Sequence, residues 1–230
     1  MELKMKISIV IPVYNEEKTV QEMISKVRQI PFEKEIIVVD DGSTDKTAEI
    51  LHSLQGDTLI LLRHERNKGK GAALRTGFSR ASGDIIIIQD ADLEYNPEDY
   101  QALLQPILER KADVVYGSRF LSGPHRVLFF WHFAGNKFLT FLSNILSNLN
   151  LSDMETGYKV FKKEVLNQIK LKSNRFGFEP EFTIKIAKKK MRVYEVPIGY
   201  YGRDYSEGKK ITWKDGLAAI YALFRFWIWD

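Results

Sequence analysis

Residues 85–94 read Ile-Ile-Ile-Ile-Gln-Asp-Ala-Asp-Leu-Glu. Four successive isoleucines with no polar alternation describe a strand covered on both faces, as in a parallel sheet flanked by helices. That strand runs directly into two carboxylates one residue apart, Asp90 and Asp92, with Glu94 close behind. On either side, Ile7–Ile11, Ile36–Val39 and Leu59–Leu62 are apolar runs of the same kind. Between them Glu16–Gln29, Asp45–Leu54 and Gly71–Ala81 carry apolar residues at helical spacing, with Ser43 or Thr44 as the expected cap of the second. Strand–helix–strand repetition predicts an open α/β sheet. Asp113–Gly117 and Val193–Pro197 read as further strands.

In open α/β sheets, ligands sit beyond the carboxyl ends of the strands. Each of the first four strands leads into a polar segment: Pro12-Val-Tyr-Asn-Glu16, Asp40-Asp41-Gly-Ser43, Asn67-Lys-Gly-Lys-Gly71 and Gln89-Asp-Ala-Asp-Leu-Glu94. The four segments are expected on one rim. Paired carboxylates after a strand suit a divalent ion shared with a diphosphate, because Mg²⁺ and Mn²⁺ take oxygen ligands and Mg²⁺ shares them with substrate phosphates. D-x-D is also common in turns. The Gly69-Lys70-Gly71 segment lacks the spacing of a P-loop, although its amides, at a helix start, could face an anion.

The composition narrows the class. With 230 residues, 44% hydrophobic and 28% charged, the chain can bury a core, and it has no Cys, which excludes a disulfide scaffold and Cys-ligated metals. Net charge is +4, yet residues 1–158 balance at −4 and residues 159–230 at +8. The basic third suits nucleic acid, an anionic membrane or phosphorylated small molecules, and no nucleic-acid motif accompanies it. No secretory signal is read at the N-terminus. All four Trp fall in two apolar stretches, around 127–149 and 212–229. His132, Asn136, Lys137 and Asn144 interrupt the first, so it does not read as a spanning helix, which needs ~20 apolar residues. In the second, Trp213, Leu217, Ile220, Tyr221, Phe224, Trp227 and Ile228 share one helical face. That face fits either the protein core or a membrane interface.

Taken together, IPVYNE (11–16), VVDDGSTD (38–45), NKGKGAALRTG (67–77) and QDADLEYNPED (89–99) resemble the inverting family-2 glycosyltransferases of GT-A fold. GSRF (117–120), LSDMETGYKVFKKEVL (151–166), FGFEPEFTIKIA (176–187) and VPIGYYGRDYSEGKKITWKDG (196–216) resemble the dolichol/polyprenyl-phosphate sugar synthases among them. The resemblance implies a GT-A catalytic domain over 1–211, a Rossmann-like, mostly parallel sheet with flanking helices, and an amphipathic C-terminal helix over 212–230. It implies that Pro12, Tyr14, Glu16 and Asp41 line the nucleotide, with Lys70, Asp90 and Ala91 along it. Asp92 and Glu94 are the implied ligands of Mg²⁺ or Mn²⁺; the second position is often Gln in the phosphomannose branch. Arg119, Arg203 and Lys209 are the implied phosphate-holding cations, and several negative charges in one cleft require such groups.

Asp153 stands where related enzymes keep a general base. A phosphate monoester has its second pKa near ~6 and needs no base. Asp153 is therefore expected at the catalytic site, either as a base or as the group that orients Arg119 or Lys159. The implied reaction moves a sugar from a nucleotide sugar, UDP-glucose first among UDP-glucose, UDP-N-acetylhexosamine and GDP-mannose, to a polyprenyl or dolichyl phosphate with inversion. His125 and Arg126, ahead of the aromatic stretch 129–142, are expected near the lipid phosphate, with Arg126 as its second cation. The expected setting is cytoplasmic and peripheral, at the inner face of the cytoplasmic membrane, by direct attachment, a membrane partner protein or a homo-oligomer. The rival readings are a soluble transferase acting on a hydroxyl and a non-catalytic nucleotide-sugar binding subunit.

Overall fold

A computed structural model describes residues 5–56, 58–121, 126, 129–203 and 213–230. Seven strands form one sheet: β1 (Ile7–Val13), β2 (Lys34–Asp40), β3 (Leu59–Arg63), β4 (Ile85–Ile88), β5 (Val114–Ser118), β6 (Lys159–Lys162) and β7 (Val193–Pro197). Their order is β3-β2-β1-β4-β6-β5-β7. All neighbours are parallel except at β6, which runs antiparallel to both β4 and β5.

The side-chain period of two divides the core. Ile7, Ile9, Ile11, Ile36, Val38, Ile85 and Ile87 point to one face, under α1 (Val20–Gln29), α2 (Thr47–Ser53) and α4 (Tyr100–Leu108). Val10, Ile37, Val39, Ile86 and Ile88 point to the other. There they meet α3 (Lys70–Arg80), α5 (Phe130–Ser147), α7 (Phe178–Lys188) and α8 (Trp213–Trp229); α6 (Val165–Gln168) is a single turn. Continuous apolar strands are thus explained: both faces are covered. The chain winds outward from β1 through β2 and β3, then returns to the other side of β1 at β4. That reversal sets the segments after β1 and β4 side by side, at the position where open α/β sheets bind ligands.

The expected strands stand within two residues at each end. Strand β6 was not anticipated, since Lys-Val-Phe-Lys offers only two apolar residues between lysines. The expected cap of α2 is corrected: the helix starts at Thr47 with Lys46 at its N-cap and no side-chain cap, and Asp45 Oδ1, not Ser43 or Thr44, accepts from the amide of Thr47 at 3.0 Å. Ser43 Oγ instead accepts from the amide of Asn15 at 3.0 Å, tying the segment after β1 to the one after β2. Helix α8 packs on α7 and α5 through Ala219, Ala222, Leu223 and Phe226. The alanines permit close helix approach, so the stripe of Leu217, Tyr221, Phe224, Trp227 and Ile228 faces outward and not into the core.

Candidate active site

The acids after β4 are aimed by their neighbour. Ala91 is buried in the core, which turns Asp90 and Asp92 toward the rim. Leu93 then adopts a left-handed φ of 62°, and the amide of Glu94 folds back on Asp92 Oδ1 at 3.2 Å. Lys70, at the start of α3, bridges Asp90 Oδ1 at 2.9 Å and Glu179 Oε1 of α7 at 3.2 Å. Gly157 passes so close to Asp90 Oδ2 that a Cβ there would overlap it.

Arg203 closes the cluster. Its guanidinium reaches Glu16 Oε2 at 3.2 Å and Asp92 Oδ2 at 3.1 Å, with Nε 3.8 Å from Glu94 Oε1. Glu94 also accepts from the Arg203 amide at 2.8 Å and from the Tyr200 hydroxyl at 3.0 Å. Burial, then the charges of Asp90 and Glu94, push the Asp92 carboxyl well above the usual carboxylate range, against the pull of Arg203. Three carboxylates thus converge on one cation, and Arg203 Nε is buried without a hydrogen-bond partner. Such an oxygen-only, negatively charged set fits Mg²⁺ or Mn²⁺, with Asp92 and Glu94 as the groups that would hold it. Among the described residues, no group of three or more His, Cys, Asp or Glu side chains is arranged to hold a metal ion by itself.

The segment after β2, expected to line a nucleotide, differs in one respect from expectation. Asp41 Oδ1 accepts from the amide of Lys68 at 2.9 Å and pairs with His64 Nδ1 at 2.6 Å, and Oδ2 accepts from the amide of Gly69 at 2.7 Å. The glycine turn therefore faces an anion of its own chain, not an external one. Gly69 is required there: its φ is 97° and the Asn174 carbonyl lies where a Cβ would stand. Pro12, the penultimate residue of β1, is half-buried, and Tyr14, just past the strand, is exposed.

Across the cleft, Arg119 follows β5. Its Nε and Nη2 donate to Asp153 Oδ2 and Oδ1 at 2.6 and 2.7 Å, and its amide to Oδ2 at 3.1 Å. Asp153 is 0% exposed. Of the two groups expected to be oriented by Asp153, Arg119 is the one held. Lys159 Nζ instead donates to the carbonyls of Met154 and Thr156. The Arg119 guanidinium lies 5.3 Å from the Tyr200 ring centroid, and Arg126 donates from its amide to the Tyr200 carbonyl at 3.4 Å. Tyr200 therefore meets Arg119 through its ring, Arg126 through its backbone and Glu94 through its hydroxyl, while the Arg126 guanidinium donates to the Gly202 carbonyl at 3.1 Å. Lys209 and His125 lie outside the described residues.

Four residues to which the sequence pattern gave no role are brought here by the fold. Glu195 of β7 accepts from the amides of Ser152 and Asp153 at 2.8 and 3.2 Å, fixing the Asp153 loop. Lys137 of α5 donates to the Ser152 carbonyl at 3.1 Å. Glu155 and Glu179 each hold one buried oxygen, Oε1 and Oε2, with no hydrogen-bond partner. Burial first, then the charge of Glu179, raises the Glu155 carboxyl far above its ordinary range. An orphaned buried acceptor costs about 1–3 kcal/mol. Glu155 and Glu179 lie within the segments 151–166 and 176–187 that carry the resemblance, whereas no local pattern marks Lys137 or Glu195.

Beyond Arg119 and Arg126, α5 and α8 pack together and present Phe130, Trp131, Phe138, Phe141, Ile145, Tyr221, Trp227 and Trp229 outward, with Trp131 at 81% and Trp229 at 74% exposure. Among the described residues, no helix is long and apolar enough to cross a membrane.

The profile of Glycosyl transferase family 2 matches residues 8–170. The chain belongs to that family. It is a glycosyltransferase, and its mostly parallel sheet with flanking helices is a GT-A fold. A UDP-N-acetylglucosamine–dolichyl-phosphate N-acetylglucosaminyltransferase of Methanococcus voltae is 29% identical over 238 residues, 94% of each chain. A dolichol-phosphate mannosyltransferase of Pyrococcus furiosus is 31% identical over 233 residues, 96% of this chain and 64% of that relative. Among solved structures, glucosyl-3-phosphoglycerate synthase of Mycobacterium tuberculosis, with Mn²⁺, UDP and phosphoglyceric acid, superposes with a TM-score of 0.76. It is 21% identical, over 97% of this chain and 79% of that one.

Proposed function

We propose that this glycosyltransferase moves a sugar from a nucleotide sugar to a polyprenyl phosphate, inverting the anomeric carbon. The observation that carries the reading is the pairing of Arg119 with a fully buried Asp153, across from the Asp90–Asp92–Glu94 rim. An acid whose two oxygens both grip a guanidinium holds a cation for an anionic nucleophile, and does not stand ready as a base for a hydroxyl. This disfavours the soluble hydroxyl-directed transferase, and the complete acid cluster disfavours a binding subunit without activity.

Arg119 and Arg126 take the lipid phosphate. One phosphate oxygen attacks the anomeric carbon as the bond to the donor diphosphate breaks, and the electron pair leaves with the diphosphate. Bound Mg²⁺ or Mn²⁺ supplies charge neutralisation at that diphosphate. Pro12, Tyr14, Glu16 and Asp41 line the nucleotide, with Lys70, Asp90 and Ala91 below it. Arg203 is drawn from its acids toward the phosphates, and Lys209 lies in the same stretch of chain. The exposed aromatics of α5 and α8 seat the enzyme peripherally on the membrane that holds the lipid. The Methanococcus relative and the UDP-bound structure favour a UDP sugar, with UDP-glucose and UDP-N-acetylglucosamine tested before GDP-mannose.

The test is incubation with Mn²⁺, polyprenyl phosphate and these three donors. Release of nucleoside diphosphate that depends on the lipid, with a β-linked product by NMR from an α-linked donor, is expected. Lipid-independent release or a retained α linkage contradicts the reading.

A further inference from the structure

Next to the Asp90–Asp92–Glu94 rim, and within electrostatic reach of Arg119, lies a floor of buried charged groups. Glu179 comes from α7 and is 4% exposed, with Oε1 on Lys70 at 3.2 Å and Oε2 buried without a partner. Lys70 continues to Asp90 at 2.9 Å. Glu155 belongs to the loop whose Gly157 abuts Asp90 Oδ2, and its own Oε1 is buried without a partner. Lys159, fully buried with its ammonium on the Met154 and Thr156 carbonyls, lies within electrostatic reach of both glutamates, and Glu155 also feels the charges of Asp153 and Arg119.

The chemistry of this floor selects its ligand. A cation entering here meets Lys70 and Lys159. An anion meets Glu155, Glu179 and Asp90. A neutral polyol suits both sets, because each hydroxyl donates to a carboxylate oxygen and can accept from an ammonium. We infer that Glu155 and Glu179 bind the hydroxyls of the transferred sugar, so that this floor, and not the nucleotide wall, discriminates among donor sugars. The inference rests on the proposed donor site and adds to it the residues that read the sugar.

The experiment measures affinity for UDP, GDP, UDP-glucose, UDP-N-acetylglucosamine and GDP-mannose, with Mn²⁺, for the unmodified chain and for Glu155→Gln and Glu179→Gln. Binding of a free nucleoside diphosphate within about twofold of the unmodified chain, with the matching nucleotide sugar weakened about 10- to 100-fold, is expected. KM for the donor should rise more than kcat falls. If the diphosphate and its sugar weaken together, or neither changes, the inference is overturned while the proposed donor site stands. If the unmodified chain binds no nucleotide at all, both are overturned. Deoxy analogues of the preferred sugar repeat the test on the unmodified chain, which removes any question of folding. At least one missing hydroxyl should reduce affinity by about 10-fold or more, and equal affinity for every analogue overturns the inference.

Discussion

A single buried carboxylate and a cluster of them sit at opposite ends of the same sheet. At the amino ends of β1 and β2, Glu35 accepts from Lys6 Nζ at 2.8 Å, Ser8 Oγ at 2.6 Å, and the amide and hydroxyl of Ser82 at 2.6 and 2.7 Å. Burial alone would raise its pKa, but the Lys6 ammonium and the donors of Ser8 and Ser82 bring it down to about 2. At the carboxyl ends, Asp92 is crowded by Asp90 and Glu94 and its pKa moves up. Beside it, single oxygens of Glu155 and Glu179 have no donor. A carboxylate that stabilises a fold is one whose donors are all supplied by the fold. Carboxylates left with repulsion and missing donors, next to a cleft, are waiting for ligand groups to complete them.

Exchanging the two roles tests this contrast most directly. Asp92→Asn should lower turnover by about 10³-fold or more, measured as nucleoside diphosphate release, with Tm unchanged or raised because repulsion with Asp90 and Glu94 is relieved. A large fall in Tm instead would place Asp92 with the structural carboxylates. Arg119→Lys keeps the charge but loses the two-pronged grip on Asp153, so KM for polyprenyl phosphate should rise about 10- to 100-fold, with Tm reduced modestly. If only kcat falls and KM is unmoved, Arg119 does not hold the lipid phosphate.

At the other end, Glu35→Gln should destabilise by about 1–3 kcal/mol in urea unfolding, and leave turnover per folded molecule unaltered. The pH profile adds a finer test. Because its folded pKa is lowered, Glu35 contributes fully above its unfolded value, near ~4.3, and the contribution fades as pH falls toward about 2. The stability gap between wild type and Glu35→Gln should therefore narrow across that window, and a constant gap would mean that the charge of Glu35 is irrelevant. The smallest effect on stability is expected far from both. Trp131→Ser with Phe138→Ser should change stability by less than about 0.5 kcal/mol. Flotation with polyprenyl-phosphate liposomes should fall clearly, and undiminished flotation would free α5 of any role in attachment.

Much of the half of the sheet from β1 to β4 was readable from the chain. The runs at β1 to β4 announce themselves because both faces of each strand are covered, so no polar residue interrupts them. Asp90, Asp92 and Glu94 were found because they follow such a strand directly. Strand β6 was hidden by its lysines. Lys159 is buried by charged and carbonyl partners that come from elsewhere in the fold, and no local pattern signals that. The apolar stripe of α8 was visible, but its direction was not. Periodicity identifies a face and cannot say whether protein or another medium covers it, and here Ala219 and Ala222 take the inner side.

Local sequence dictates the alternation of buried strands with helices, and with it the placing of four polar segments on one rim. Both stem from the hydrophobic pattern and from the rule that parallel strands end on the same side. Long-range packing alone brings Arg203, more than a hundred residues downstream, among Glu16, Asp92 and Glu94, sets Asp153 on Arg119, and joins Glu179 to Asp90 through Lys70. Such encounters depend on where distant elements dock, and that is set by the packing of whole faces and not by any short stretch of chain.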